Sequence, residues 1–176
     1  MFGDAILALL EDLHEFGAEE PGRLYRQYGQ ASIDNLLENK VLAQIPTPLD
    51  KLFLLGPEGR KALGLSPFYL SPPEAAATQL IRRRVKEKLE LENWHYQGRP
   101  SRNFMLFVTN DGSKAYVLAH YGDYTARSVR RVIASVSSKL IKEGAVLLVW
   151  TKNTHRLLHL EKKTNSLLTV RKLDFV

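Results

Sequence analysis

The chain has 176 residues, 44% of them hydrophobic, with no cysteine and a formal net charge of +6. That length allows one large or two small domains with a buried core, and the missing cysteine excludes disulfides, thiolate metal sites and thiol nucleophiles. The sequence contains no run of about 18 apolar residues and no basic stretch leading into an apolar one at its start, so no membrane partner and no signal peptide are expected. The expected location is the cytoplasm.

The net charge conceals a division. Residues 1–66 carry six Lys or Arg against ten Asp or Glu, and residues 67–176 carry nineteen against nine, so the front is −4 and the back +10. Cations that displace counterions from phosphates supply most nucleic-acid affinity, which makes the second part the expected source of electrostatic attraction.

In residues 5–16, Ile6, Leu9, Leu10, Leu13 and Phe16 share one stripe opposite Glu11, Asp12 and Glu15, an amphipathic first helix closed by Gly17. Residues 21–28 suit a short second helix, with Pro21 at its start and Gly29 behind it; a third helix is expected from Gln30 after a tight turn. Its positions Ile33, Leu36, Leu37 and Val41 fall at helical spacing, leaving Asp34, Asn35, Glu38 and Asn39 toward solvent. Residues 41–45 and 52–55 read as two short strands, Pro46 and Pro48 forbid further helix, and Gly56-Pro57-Glu58-Gly59 leads into a helical turn at residues 60–63.

Three helices and a hairpin in this order resemble the winged helix-turn-helix superfamily, through the LLENKVL helix end and the FLLGPEGRKAL wing return. The resemblance covers roughly a third of the chain and implies double-stranded DNA as the partner. The candidate contacts on the third helix are Gln30, Ser32, Asn35, Asn39 and Lys40, with Lys51 on the wing and Arg60 behind it. Asn and Gln can read adenine edges, whereas Asp34 and Glu38 repel phosphates, so this domain is expected either to bind with help from elsewhere or mainly to dimerise. A homodimer on two half-sites is compatible with this, and nothing in the sequence fixes the stoichiometry.

Residues 64–73, GLSPFYLSPP, lie at the charge boundary; 66–73 is assigned as the linker between a first domain of 1–65 and a second of 74–176. Phe68, Tyr69 and Leu70 make it apolar enough to pack against one domain. Residues 71–91 form a helix with a stripe of Leu80, Ile81, Val85 and Leu89. Arg82, Arg83 and Arg84 crowd its other positions, either as phosphate contacts or as a solvated face whose stems cover the core. Residues 93–102 gather Trp94, His95, Tyr96, Arg99 and Arg102, a loop that can stack bases and hold phosphates, or equally a helix-to-strand corner with Trp94 in the core. Residues 103–109 and 114–121 form a hairpin about Asn110-Asp111-Gly112. Residues 124–143 are the clearest helix, and Arg127, Arg130 and Arg131 near its start oppose the helix dipole and suit an anionic partner. Residues 145–151, 155–161 and 167–173 read as three strands.

Helix, hairpin, helix and strand in that order resemble the restriction-endonuclease-like fold, whose hairpin carries an Asp and then an acid-x-Lys pair that hold a divalent metal. Here Asp111 stands at the first position, where turn statistics favour a plain turn former, and Ala119-His120-Tyr121 replaces the pair. The resemblance therefore implies a degenerate, non-cleaving member. In layout the two parts together resemble the replication-relaxation proteins of plasmids and other mobile elements, which implies a DNA-binding role in controlling replication or transfer. The fold class expected is α+β, a winged helix-turn-helix followed by a small basic α/β domain.

The function expected is a non-enzymatic DNA-binding regulator of replication or transcription, with no catalytic residues, no metal ligands and no cofactor. The five histidines reach no convincing ligand spacing with carboxylates; Ser135, Ser137 and Ser138 lack a nucleophile elbow; neither GxGxxG nor a phosphate-loop Lys motif occurs. The alternatives are a metal-dependent nuclease that assembles Glu90, Asp111 and Asp123, and a protein-interaction adaptor using the acidic third helix.

Overall fold

The structure, a computed structural model, describes residues 2–174; Met1, Phe175 and Val176, which the expected domains include, lie outside the described residues. The chain is a mixed α+β protein that divides into two compact units, Met1–Leu80 and Ile81–Val176.

The first unit opens with helices α1 (Asp4–Phe16), α2 (Pro21–Tyr28) and α3 (Gln30–Glu38). Leu9, Leu10 and Leu13 of α1 pack with Leu24 of α2 and with Ile33 and Leu36 of α3, the stripes their spacing predicts. Strands β1 (Leu42–Pro46) and β2 (Lys51–Leu55) pair antiparallel, with Leu42 opposite Leu55 and Pro46 opposite Lys51. Thr47 shapes the hairpin turn: its hydroxyl accepts from the amides of Leu49 and Asp50, each at 3.2 Å, and donates to the Asp50 carbonyl at 2.6 Å. Phe53 exchanges backbone hydrogen bonds of 2.9 and 2.8 Å with Glu19, so a residue two before the start of α2 extends the hairpin by one short bridge.

A short helix α4 (Pro57–Ala62) follows β2. Lys40 ends α3 in the left-handed region at φ 56°, where its amide donates to Leu37 and that of Val41 to Leu36. The start of α4 then closes onto this turn: Gly56 donates to the Val41 carbonyl and Glu58 to that of Lys40. A Cβ on Gly56 would meet the Lys40 carbonyl oxygen at 2.3 Å, and one on Gly59 the Val41 oxygen at 2.3 Å. The Gly-Pro-Glu-Gly motif is therefore a close backbone contact, and both its glycines are set by space. Downstream, Arg60 donates from Nε to the Ser66 carbonyl at 2.5 Å and lies 5.0 Å over the Tyr69 ring. The stretch expected to be the linker is thus tied to α4, although Phe68 remains 95% exposed.

Helix α5 (Pro73–Leu91) contains the division between the units, which falls after Leu80. The second unit continues with β3 (His95–Gly98), β4 (Met105–Val108), β5 (Lys114–Ala119), α6 (Ala126–Glu143) and β6 (Ala145–Thr151). A 3-10 turn (Thr154–Arg156), α7 (Leu158–Lys163) and β7 (Leu168–Lys172) complete it. The five strands form one sheet in chain order, antiparallel from β3 to β5 and parallel from β5 to β7. Tyr116, Leu118, Leu147, Val149 and Leu168 face a core closed by Val129 and Leu140 of α6 and Leu160 of α7. By alternation Phe107, Val117 and Trp150 face the other side, where Lys86 of α5 lies 5.6 Å over the Tyr96 ring.

Two expectations are corrected. Residues 93–102 are not only a loop or a corner: Tyr96 pairs with Phe107, so β3 is an edge strand that sequence patterning missed. Residues 155–161 are not a strand. Parallel pairing of β6 with β7 requires a crossover, and Leu157 and Leu160, three apart, are both buried while Leu158 is 40% exposed, a helical pattern.

The close contact at the glycine motif gives a test. Gly59→Ala is expected to lower stability by roughly 1–3 kcal/mol, whereas exposed Lys61→Ala should change it by under about 0.5 kcal/mol. Thermal unfolding of the two variants beside the parent protein checks this.

Candidate nucleic-acid interface

In the first unit, Gln30, Ser32, Asn35, Asn39 and Lys40 are all exposed on or just after α3. Asn39 donates to the Asn35 carbonyl at 2.9 Å and approaches its Oδ1 at 3.3 Å, so these two amides act together. Asp34 does not point freely outward: it accepts from the Tyr25 hydroxyl at 3.1 Å, and Tyr25 packs edge-on to Phe53. Glu38 is then the exposed carboxylate of α3, and Asp34 is half-buried. Lys51 on the wing lines a cleft of about 410 Å³ with Arg23 and Arg26 on α2 and with Glu20 and Asp50, a surface of mixed charge. Arg60, bound to Ser66 and Tyr69, serves the α4 turn.

The three consecutive arginines of α5 have three different surroundings, because each helical residue turns about 100° from the last. Arg82 is half-buried and donates from Nε to the carbonyl of Ala119, the last residue of β5, at 3.3 Å. Arg83 is buried at 6% exposure, and Arg84 pairs with Glu87 at 3.2 Å. Of the three, Arg82 is therefore the one aimed at the sheet's end.

Topology makes that end distinctive. Strands β5, β6 and β7 run parallel, and β4 starts opposite the last turns of β5, with Met105 beside Val117. The loops after the parallel strands and the loop before β4 consequently share one end. These loops and the first turn of α6 carry Arg99, Arg102, Arg127 and Lys152 against Asp123 and Asp174, with Arg156 in the 3-10 turn after β6 and Lys172 as the last residue of β7. Asp123 is engaged as a brace: its Oδ1 accepts from the Thr151 hydroxyl and from the amides of Lys152 and Asn153 at 3.1–3.2 Å. Burial, then the nearby positive charge of Arg99 and, more weakly, of Arg102, holds the Arg82 guanidinium below its ordinary pKa. Among the described residues no carboxylate forms an ion pair with Arg82 or Arg102. Arg130 and Arg131 are exposed farther along α6, and the Arg130 Nη2 lies 3.3 Å from Nε2 of His159.

Aromatic groups stand at the same end. β5 stops at Ala119 and α6 starts at Ala126, so residues expected in a strand and a helix, Tyr121 and Tyr124, lie in the loop between. The His120 ring lies 4.8 Å from that of Tyr121 at 31° and 6.0 Å from that of Tyr124. His120 accepts from the Gly122 amide at Nδ1 over 2.9 Å, which leaves Nε2 to carry the proton of the neutral ring. Thr125 and Ser128 then cap α6 reciprocally, each side chain accepting from the other's amide at 3.1 Å. The sequence reading missed His120, Tyr121 and Tyr124; the available signal was the polar YGDY run after an apolar strand.

Asp111 lies in the turn at the opposite end of β5, where it accepts from the Thr109 hydroxyl and, at 3.1 Å, from the Ser113 amide. These bonds, the Thr109 hydroxyl foremost, hold its carboxyl below the usual range. Comparison with models of protein families, with curated proteins and with solved structures finds no match.

Burial pushes the Tyr124 hydroxyl up to about 12, while the neighbouring Arg82 charge pulls it the other way. The folded pKa is raised above the unfolded value near 10, so the contribution is intact below about 10 and is lost as pH rises toward the folded value. Ultraviolet titration should show a phenol titrating near about 12 in the folded protein. Tyr124→Phe should remove that step and lessen the alkaline loss of stability.

Proposed function

We propose that the protein is a non-enzymatic, double-stranded-DNA-binding regulator of replication or transcription, with a winged helix-turn-helix in its first unit. The observation that carries this is the sequence of α2, Gly29 and α3 followed by a hairpin whose second strand also bridges to Glu19. A winged helix uses this arrangement to present its third helix to the major groove and its hairpin to the flanking backbone. Exposed Gln30, Ser32, Asn35 and Asn39 are the base-reading candidates, and Lys40 and Lys51 the phosphate contacts.

The second unit supports a resemblance to the restriction-endonuclease-like fold through its order of helix α5, antiparallel β3 to β5, helix α6 and parallel β6. Asp111 and Asp123 stand at opposite ends of β5, which argues against the nuclease reading that needs both at one metal. No helix among the described residues is long and apolar enough to cross a membrane. The two-part layout resembles that of the replication-relaxation proteins of plasmids and mobile elements, and control of DNA replication or transfer is the role that this resemblance implies.

Fluorescence anisotropy on random duplex DNA tests the reading. Affinity should fall roughly 100-fold between about 50 and 200 mM salt if about four phosphates are neutralised, without any need for magnesium and without cleavage. Lys51→Ala should weaken binding to all sequences and reduce the salt slope by about 1, whereas Asn35→Ala should act only on a preferred site once one is selected. Absence of duplex binding at low salt, or magnesium-dependent cutting, would overturn the proposal.

A further inference from the structure

We infer that the second unit binds a small aromatic carboxylate in the cavity between α6 and the loop that precedes β4, with its ring against Phe104 and Leu140 and its carboxylate on Lys139. The cavity lies within the second unit and stands apart from the DNA-binding reading, which concerns α3 and the hairpin of the first.

Its walls come from three neighbouring elements. Val136, Lys139 and Leu140 are at i, i+3 and i+4 on α6, so they share one face of that helix. Tyr116 of β5 forms the sheet side. Phe104, one residue before β4, stands edge-on to it, with ring centroids 6.0 Å apart at 85°. With Ser101 of the same loop, these side chains line a cavity of about 140 Å³.

That volume sets the size of the occupant. Apolar cavities of about 150 Å³ take up benzene, so the space suits a single ring. Tyr116 and Leu140 are buried and Phe104 and Val136 half-buried, whereas Ser101 and Lys139 are exposed, which puts apolar walls deep and polar groups at the rim. Water deep in such a space would find few hydrogen-bond partners, and apolar atoms replace it at a gain. Aromatic rings favour edge-on and offset contacts, so a third ring extends the Phe104–Tyr116 pair, which selects an aryl group over a straight chain.

Charge at the rim sets the occupant's other end. Among the described residues that line the cavity, Lys139 alone is charged, and its Nζ lies 4.7 Å over the Tyr116 ring. A hydrogen bond to Tyr116, foremost, and more weakly the Glu143 charge hold the Lys139 ammonium above its ordinary pKa, so it is a cation at neutral pH. An ammonium has three donors, and that bond uses one. The Tyr116 hydroxyl in turn donates to Oε2 of Glu143 at 2.7 Å, so that carboxylate, one turn farther along α6, is already engaged. Ser101 brings a hydroxyl that can donate to the ligand's second oxygen.

Benzoate is the probe, followed in the full chain through the carbon-edited NMR signals of the Phe104 and Tyr116 rings. Both should shift saturably with a dissociation constant of roughly 1 mM, in keeping with about nine non-hydrogen atoms. Acetate, which lacks the ring, should shift neither signal at the same concentrations. Benzyl alcohol, which lacks the charge, should bind roughly 3- to 10-fold more weakly than benzoate, because the rim is exposed and Glu143 offsets part of the Lys139 charge. Lys139→Met keeps the apolar stem and should lower benzoate affinity to that of benzyl alcohol while leaving benzyl alcohol unchanged. Val136→Phe, which directs a ring into the cavity, should abolish binding of both. Lys139 is exposed, so its variant decides the question even where Val136→Phe fails to fold. No saturable shift with benzoate, an equal shift with acetate, or benzoate affinity unchanged in Lys139→Met overturns the inference.

Discussion

The parallel pairing of β5 with β6 decides where the rest of the second unit goes. Two parallel neighbours cannot be joined by a tight turn, so the chain must leave β5, cross by α6 and return at the starting end of β6. The same requirement places α7 between β6 and β7. β5 itself is buried from Ala115 to Ala119 and hydrogen-bonded on both sides, so it has no freedom to slip register without exposing one of its faces. Everything chemically distinctive about the unit follows from this strand's direction. Its far end collects the cationic loops and the aromatic pair, and its near end collects a turn held by Asp111.

The first unit depends on a constraint of another kind, close backbone approach. The left-handed turn at Lys40 ends α3, and the opening of α4 folds directly onto it because Gly56 and Gly59 present no side chain. The position of α3 relative to the β1–β2 hairpin is fixed by this contact from one end and by the Tyr25–Asp34 and Tyr25–Phe53 contacts from the other. The DNA-reading role proposed for α3 and the hairpin would require such rigidity, since a displacement of either would misalign base contacts with phosphate contacts.

How much was legible in the sequence varied with the length and periodicity of each segment. The stripes of α1, α3, α5 and α6 are long enough to specify both helix and buried face, and the hairpins announce themselves through proline, glycine and Asn-Asp-Gly. β3 was hidden because it is a four-residue edge strand with only one neighbour, so polar residues such as His95 and Gln97 satisfy its outer positions and no apolar alternation is needed. α7 was hidden because its one buried leucine, Leu160, with Leu157 just before the helix, is too little to set a period. The candidate sites divide along the same line. A run of three arginines says nothing about which one reaches a ligand, and only the rotation of α5 separates a buried Arg83 from an Arg84 paired locally and an Arg82 directed at a strand end. The clustering of Arg82 with Arg99 and Arg102 is a product of topology, invisible to linear spacing.

Ala76 and Leu80 belong to α5, yet they are buried with Ala18, Leu52 and Leu54 of the first unit. The proline-rich stretch with exposed Phe68, Tyr69 and Leu70 lies upstream of them. A protease that cuts this stretch would therefore nick the chain without freeing its front portion, because the opening turns of α5 remain lodged among the apolar side chains of the hairpin. The two pieces would migrate together in a native gel and part only under denaturing conditions.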